Sequence, residues 1–178
     1  MRQRYIVIFM LFLVSACHNG SKEITQPKFF RLHEYIEQQI VQLTASSKKL
    51  SKKISKDGKQ EEKVISRVSW KKELRPFFDA DINRSAWFKA FHIDTLKTVG
   101  GYHLIYIALE AKLSVRKMDI SLQSDTVNSI TIFTEKKNSY FSSAQQLIYI
   151  PEKGYSIIGN QKVILADPIS YEISATIL

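Results

Sequence analysis

The chain has 178 residues, of which 44% are hydrophobic and 24% are charged, and its formal net charge is +9. This composition excludes a wholly disordered chain and favours one domain, or at most two small ones. The single cysteine excludes an intramolecular disulfide and a thiolate zinc site.

The N-terminal residues have the pattern of an export signal. Arg2 and Arg4 precede an unbroken apolar run from Tyr5 to Val14. As a helix, this run would span only about 15 Å, roughly half the thickness of a bilayer core. It is therefore too short for a membrane-spanning helix and is typical of the apolar region of a signal peptide.

The run continues into Val14-Ser15-Ala16-Cys17, which resembles the lipobox of bacterial lipoproteins. The resemblance implies that residues 1–16 are removed as a signal peptide and that acyl chains on Cys17, such as palmitate, anchor the protein in a membrane. In that family the residue after the cysteine helps to direct sorting, and His18 in place of Asp implies the outer membrane of a Gram-negative envelope. The alternative is an ordinary secretory signal in which the cysteine has no role.

A polar tether, residues 17–26 including the lipidated cysteine, leads into a domain that we place at residues 27–178. Apolar residues then recur at spacings of three and four, which predicts an amphipathic helix from Pro27 to about Leu43. Pro27 suits the first helical position. We expect the apolar stripe of this helix to pack on a sheet of the same domain. The stripe consists of Phe29, Leu32, Ile36, Ile40 and Leu43.

The segment 48–76 carries the excess positive charge. It contains eleven basic and four acidic residues, and the rest of the chain from Cys17 onward is neutral. Such a patch can bind an anionic lipid surface, where each side chain contributes about 1 kcal/mol. The simpler interpretation is that the lysines keep an exposed strand edge soluble. The basic residues are Lys48, Lys49, Lys52, Lys53, Lys56, Lys59, Lys63, Arg67, Lys71, Lys72 and Arg75.

The same segment has the pattern of a β-hairpin from Leu50 to Val68. Asp57-Gly58 is a strong signal for a two-residue type I′ turn, because both central residues of that turn need positive φ. A two-residue loop would place Lys53 opposite Glu62. Because the arms are polar, we expect the hairpin to lie at a sheet edge or to project from it.

The remaining elements complete an α+β prediction: an N-terminal amphipathic helix, a basic hairpin, a short helix and a twisted antiparallel meander. Ser69 is predicted to cap the short helix, from Trp70 to about Phe78, which Pro76 shortens or bends. From about Ala86 the apolar period becomes two, which predicts the meander, with Gly159-Asn160 as one of its hairpin loops. The predicted core consists of Phe29, Leu32, Ile36, Ile40, Trp70, Leu74, Leu104, Tyr106, Ile120, Ile132, Ile148, Ile173 and Ile177.

The sequence contains no motif for catalysis, a cofactor or a metal. The segment from Asp79 to Asn83 opens like a calcium loop, but Arg84 and Ala90 stand where such a loop needs Gly and Glu, so we predict a turn. The four histidines have no i, i+4 pair, and there is no Gly-x-Ser-x-Gly elbow. We therefore expect a protein that is not an enzyme, although a hydrolase with a site assembled only by the fold is a further alternative.

Two short patterns, Asp94-Thr95-Leu96 and Asp125-Thr126-Val127, resemble an O-glycosylation signal of some Gram-negative secretory systems. Three-residue patterns also arise by chance, so unmodified threonines are the simpler interpretation.

The mature region offers two weak resemblances. The spacing of Trp70, Glu73, Leu74 and Phe77 with the segment 81–83 resembles uncharacterised envelope lipoproteins and implies no activity. The order of a helix followed by a long meander is similar to the periplasmic lipoprotein carriers, in which a half-barrel sheet closed by helices holds acyl chains. This second likeness concerns architecture alone.

Two functional hypotheses follow. In the first, the protein is a non-catalytic lipoprotein that contacts an envelope protein or an anionic membrane surface through segment 48–76. In the second, it binds a lipid or another apolar ligand between the first helix and the sheet. Nucleic acid is not expected as a partner of an exported lipoprotein, and no nucleic-acid motif is present.

Overall fold

A computed structural model describes residues 28–178 of the chain. The predicted signal peptide (residues 1–16), lipidated Cys17, tether (residues 17–26) and Pro27 lie outside the described residues. The helices are α1 (Leu32–Ala45), α2 (Trp70–Glu73) and α3 (Arg75–Phe78), followed by a 3₁₀ turn (Ser85–Trp87). The strands are β1 (Leu50–Lys56), β2 (Lys59–Ile65), β3 (Phe91–Thr98), β4 (Gly101–Ala108), β5 (Val115–Gln123), β6 (Thr126–Lys137), β7 (Phe141–Ile150), β8 (Gly154–Val163) and β9 (Ile169–Ile177).

The strands form one antiparallel sheet in the order β2-β1-β9-β8-β7-β6-β5-β4-β3. From β3 to β9, each strand pairs with the next one along the chain. The β1–β2 hairpin comes earlier in the sequence but joins the far side of the sheet, where β1 pairs with β9. Within the described residues, β2 and β3 are therefore the two edge strands.

The fold is mainly β, so the α+β prediction is wrong. Strands contain 53% of the described residues and helices only 17%. The strands are longer than the apolar runs suggested, because polar residues on one face continue them. Gly159-Asn160, predicted to be a hairpin loop, lies inside β8 and pairs with Gln145 and Ala144 of β7. The ring of Tyr171 occupies the space where a side chain at Gly159 would lie, which explains a glycine inside a strand.

The first helix starts later than predicted. It begins at Leu32 instead of Pro27 and ends at Ala45, two residues beyond the predicted end. The residues before it are held by tertiary hydrogen bonds: Phe29 N–H donates to Asn83 Oδ1, and Phe30 N–H donates to the Tyr106 hydroxyl. Such long-range partners leave no trace in local periodicity.

The helix predicted from Trp70 to Phe78 is divided in two at Leu74. Pro76 cannot donate the backbone hydrogen bond that would continue the first segment, so a new turn starts at Arg75. The Ser69 side chain makes no capping hydrogen bond, contrary to prediction.

The helices pack on one face of the sheet, which we call the helix face, and leave the other, the open face, to solvent. Tyr149 of β7 marks the helix face: its hydroxyl donates to Gln39 of α1, and its ring contacts Phe77 of α3. Eight predicted core residues are buried, namely Phe29, Leu32, Ile36, Trp70, Leu74, Tyr106, Ile120 and Ile132. The other five, Ile40, Leu104, Ile148, Ile173 and Ile177, are only partly buried. For Ile148 the reason is strand parity, because its neighbours Leu147 and Tyr149 occupy the helix face.

Candidate functional site

The basic hairpin forms with the predicted register. Lys53 lies opposite Glu62, and both turn residues have positive φ, 49° at Asp57 and 82° at Gly58. The hairpin lies at the sheet edge, as expected from its polar arms.

The register brings like charges together on the helix face. Leu50 is buried on that face, and Lys52 and Lys56 share it because alternate residues of a strand point the same way. Lys52 lies opposite Lys63, and Lys56 lies opposite Lys59. Like charges directly opposite each other destabilise a sheet by up to about 1 kcal/mol.

One of these lysines is neutralised by the helix that follows the hairpin. Lys52 Nζ lies 2.7 Å from Glu73 Oε2, and the two side chains are only 18% and 15% exposed. The hydroxyl of Tyr155 in β8 donates to the same carboxylate oxygen. This contact fixes α2 beside the hairpin, so the lysines of both elements are brought to the same side of the molecule.

Next to this region there is an apolar groove between α1 and the α2–α3 pair. The groove has a volume of about 510 Å³, and Ile40, Val41 and Phe78 supply its apolar lining. Val41 is 64% exposed, and the ring of Phe78 contacts that of His33, with centroids 3.7 Å apart and the planes tilted by 42°. The groove thus exposes apolar side chains next to the basic segment.

The charges around the groove are mixed but mainly positive. Lys71, Lys72 and Arg75 line it together with Glu37 and Asp79. Arg75 and Asp79 form an exposed ion pair of 3.3 Å. Lys71 and Lys72 are exposed. We use the name basic surface for Lys56, Lys59, Lys63, Lys71, Lys72 and Arg75.

The structure does not unite all eleven predicted basic residues. Lys53 is on the open face beside Glu62, and Lys52 is half-buried by Glu73. Lys48 and Lys49 precede β1, and the backbone of Lys49 exchanges two hydrogen bonds with Leu178. Arg67 is exposed in the bend after β2. The predicted patch is therefore a smaller surface of six residues.

The candidate residues for other chemistry lie apart. His103 Nδ1 is 2.7 Å from Asp119 Oδ1 on neighbouring strands, a pair that the sequence analysis did not identify. His92 is exposed, as are Thr95 and Thr126 of the two glycosylation patterns. His18 lies outside the described residues. Within residues 28–178, no three His, Cys, Asp or Glu side chains are placed to hold a metal ion.

The segment 79–83 is the turn predicted from its Asp and Asn residues, and it has a structural function that was missed. Asp81 Oδ1 accepts hydrogen bonds from the backbone and side-chain nitrogens of Asn83. Asn83 in turn holds the segment that precedes α1, since its amide donates to Phe30 C=O and accepts from Phe29 N–H.

Buried tyrosines carry the largest changes in acidity. Burial raises the pKa of Tyr35 to about 12. Burial also raises the pKa of Tyr149 and of Tyr155, and for Tyr155 the hydrogen bond to Glu73 adds to the increase. A neutral phenol is the form that can donate to Glu73 and Gln39, so these shifts favour the bonds that hold the helices to the sheet.

Comparison with known proteins yields no family model, no curated protein and no solved structure that matches this chain. Among residues 28–178, no helix combines the length and the apolar content that a membrane crossing requires.

Proposed function

We propose that the protein is a membrane-anchored envelope lipoprotein that acts by binding, and that its basic surface contacts an anionic membrane surface. Acyl chains on Cys17 would hold it in the membrane, which the identity of His18 suggests is the outer membrane. The observation that carries the proposal is the joining of the hairpin to α2 by the Lys52–Glu73 contact. That contact neutralises Lys52, while the six residues of the basic surface are exposed on the hairpin and on α2 and α3.

The arrangement of charge supports a role for the lysines in binding an anionic partner, beyond keeping the strand edge soluble. Edge strands are commonly protected by lysines, but protection does not require a directly opposed lysine pair such as Lys56 and Lys59. Such pairs cost stability, and a bound anion would offset the cost. Near an anionic bilayer, each lysine contributes about 1 kcal/mol of binding free energy.

The groove beside the basic surface supports a lipid surface as the partner. Its lining exposes Val41 and Ile40 within reach of Lys71 and Lys72. Apolar and cationic side chains side by side match the boundary between acyl chains and anionic headgroups. An acidic envelope protein is the competing partner, and binding of the purified chain to lipid vesicles separates the two.

The space between α1 and the sheet does not favour the second hypothesis, a lipid held there. Leu32 and Ile36 of α1 are fully buried and Leu43 is nearly so, in one cluster with Ile130 and Leu147 of the sheet. The exposed groove lies on the other side of α1, against α2 and α3.

The test uses the mature chain from residue 17 with Cys17→Ser, so that acyl anchoring does not mask surface binding. Co-sedimentation is measured with vesicles of phosphatidylcholine alone and with added phosphatidylglycerol, over a series of salt concentrations. We expect binding only to the anionic vesicles, decreasing as salt screens the charges. Binding of the purified chain to these vesicles needs no envelope protein, so its absence would direct the search to a protein partner.

A charge-matched pair of variants tests the surface itself. The first variant changes Lys56, Lys59, Lys63 and Lys72 to Glu, and we expect it to lose more than about tenfold in affinity for anionic vesicles. The control changes four exposed lysines elsewhere, Lys97, Lys136, Lys137 and Lys162, to Glu. The two variants have the same net charge. Equal losses would show that net charge alone governs binding and would contradict the proposed surface.

Anchoring is tested separately by the mass of the N-terminal peptide from source membranes. The proposal expects a chain that starts at Cys17 with its thiol diacylglycerated. A free Cys17 thiol in a chain released without detergent would exclude the lipoprotein assignment.

A further inference from the structure

A second concave surface lies on the open face, away from the basic surface. It is a trough of about 630 Å³ that crosses β6, β7, β8 and β9 and ends at the β1–β2 turn. Neighbouring strands are about 4.8 Å apart, so the five strands give the trough a length of about 19 Å.

Two rows of cross-strand partners form its sides. In the first row, Phe133 pairs with Gln146, Gln146 with Ile158, and Ile158 with Glu172. Phe133 is 37% exposed and Ile158 is 45% exposed. This side therefore alternates apolar surface with an amide and a carboxylate.

The second row has the same mixed character with smaller side chains. Glu135 pairs with Ala144, Ala144 with Asn160, and Asn160 with Ser170. The row ends at Asp57 of the hairpin turn, whose carboxylate accepts the N–H of Ser170. The carboxylate of Asp57 thus has a structural partner, and Glu135 has the Arg116 guanidinium 3.9 Å away.

Backbone forms the floor between the rows. The intervening residues, including Tyr171, direct their side chains to the helix face, because strand residues alternate. There the ring of Tyr171 covers Gly159, and its hydroxyl accepts a hydrogen bond from Gln145. This packing supports the floor from the helix face and leaves the open face accessible to a ligand.

The charge of the trough is opposite to that of the chain. Among the described residues that line it there are three carboxylates, from Asp57, Glu135 and Glu172, and neither a lysine nor an arginine. On a chain of net charge +9, this is a local reversal of sign. It disfavours an anionic ligand in the trough.

We propose that the trough binds an oligosaccharide that carries no acidic group. A sugar chain presents hydroxyl donors at its edges, which suit the acceptor oxygens of Glu172 and the amides of Gln146 and Asn160. The C–H faces of its rings suit Phe133 and Ile158. Both features repeat along the length of the trough, as the two rows do. This inference does not depend on the anionic membrane contact, which lies on other residues.

The test titrates the full mature chain, residues 17–178 with Cys17→Ser, with three tetrasaccharides. These are neutral cellotetraose, the amine-bearing glucosamine tetramer and acidic tetragalacturonate, followed by calorimetry and by amide NMR shifts. We expect saturable binding of at least one of the first two, with shifts at Ile158 and Asn160. Tetragalacturonate should bind at least about tenfold more weakly because of the carboxylates.

Two tryptophan variants locate the site. Ala144 is exposed in the trough, so Ala144→Trp fills it, whereas Thr176→Trp places the same side chain at an exposed position of the open face outside it. We expect Ala144→Trp alone to lose the sugar, with thermal midpoints alike in both variants.

The proposal is overturned if neither non-acidic sugar saturates at millimolar concentration, or if Ala144→Trp binds as the unmodified chain does. A tighter complex with tetragalacturonate would also overturn it. Binding of tetralysine in the trough without binding of either sugar would assign the site to a cationic peptide instead.

Discussion

Glu73 Oε2 lies 2.7 Å from Lys52 Nζ and connects the first strand of the sheet to the short helix α2. Tyr155, more than eighty residues later in the chain, donates its hydroxyl to the same oxygen. One partly buried carboxylate therefore links α2, β1 and β8. The position of Lys71, Lys72 and Arg75 relative to the hairpin depends on this link.

Glu73→Gln should lower the free energy of unfolding by about 2 kcal/mol. The amide keeps the shape of the side chain but leaves the Lys52 ammonium, only 18% exposed, without its counter-charge. Urea denaturation measures the change. The control is the Arg75–Asp79 pair, whose side chains are 75% and 62% exposed, so Asp79→Asn should change stability by no more than about 0.5 kcal/mol. Similar losses in both variants would contradict the structural importance of Glu73.

The protein should lose stability above pH 10 because of its buried tyrosines. Partial burial raises the pKa of Tyr35 from its ordinary value of 10.0 to about 12 in the folded chain. Between these values the unfolded chain releases the proton while the folded chain retains it, so unfolding becomes easier as the pH rises. Below pH 10 both states are protonated and the group has no effect. Denaturation midpoints measured from pH 8 to pH 12 should fall, and the fall should be smaller in Tyr35→Phe.

Gly154→Ala should destabilise the sheet by about 2 kcal/mol or more. Its φ is +137°, and a Cβ there would lie 1.9 Å from the carbonyl oxygen of Ala175. Gly58 provides the comparison, because its φ of +82° suits Asn and a Cβ meets nothing within 4 Å. Gly58→Asn should therefore cost less than about 1 kcal/mol. Thermal denaturation of the two variants gives the order, and a reversed order would contradict the register of β8 with β9.

Lys59→Glu should change stability and membrane binding in opposite directions. It replaces a like-charged pair with Lys56 by an attractive one and should raise the free energy of unfolding by about 0.2–1 kcal/mol. The same change removes a cation from the basic surface and should weaken binding to anionic vesicles. A variant that is both less stable and equally well bound would show that the lysine pair neither strains the hairpin nor contacts lipid.

Local patterns predicted the hairpin well, but they misjudged the proportions of the fold. The Asp57-Gly58 turn sets the register by itself, since a two-residue loop allows only one pairing. Gly159-Asn160 has similar residues and lies within a strand, because Tyr171 from β9 fills the space over Gly159. A turn signal describes what a segment can do in isolation, and a neighbouring strand can override it.

The sequence by itself determined the location of the excess charge, the hairpin and part of the buried core, because these follow from composition, turn chemistry and periodicity. Tertiary structure decided which side chains meet. It pairs Lys52 with Glu73, holds Phe29 outside the helix through Asn83, and aligns Glu135 and Glu172 along one trough. Each of these relationships joins elements distant in sequence, and their relative positions depend on how nine strands share one sheet.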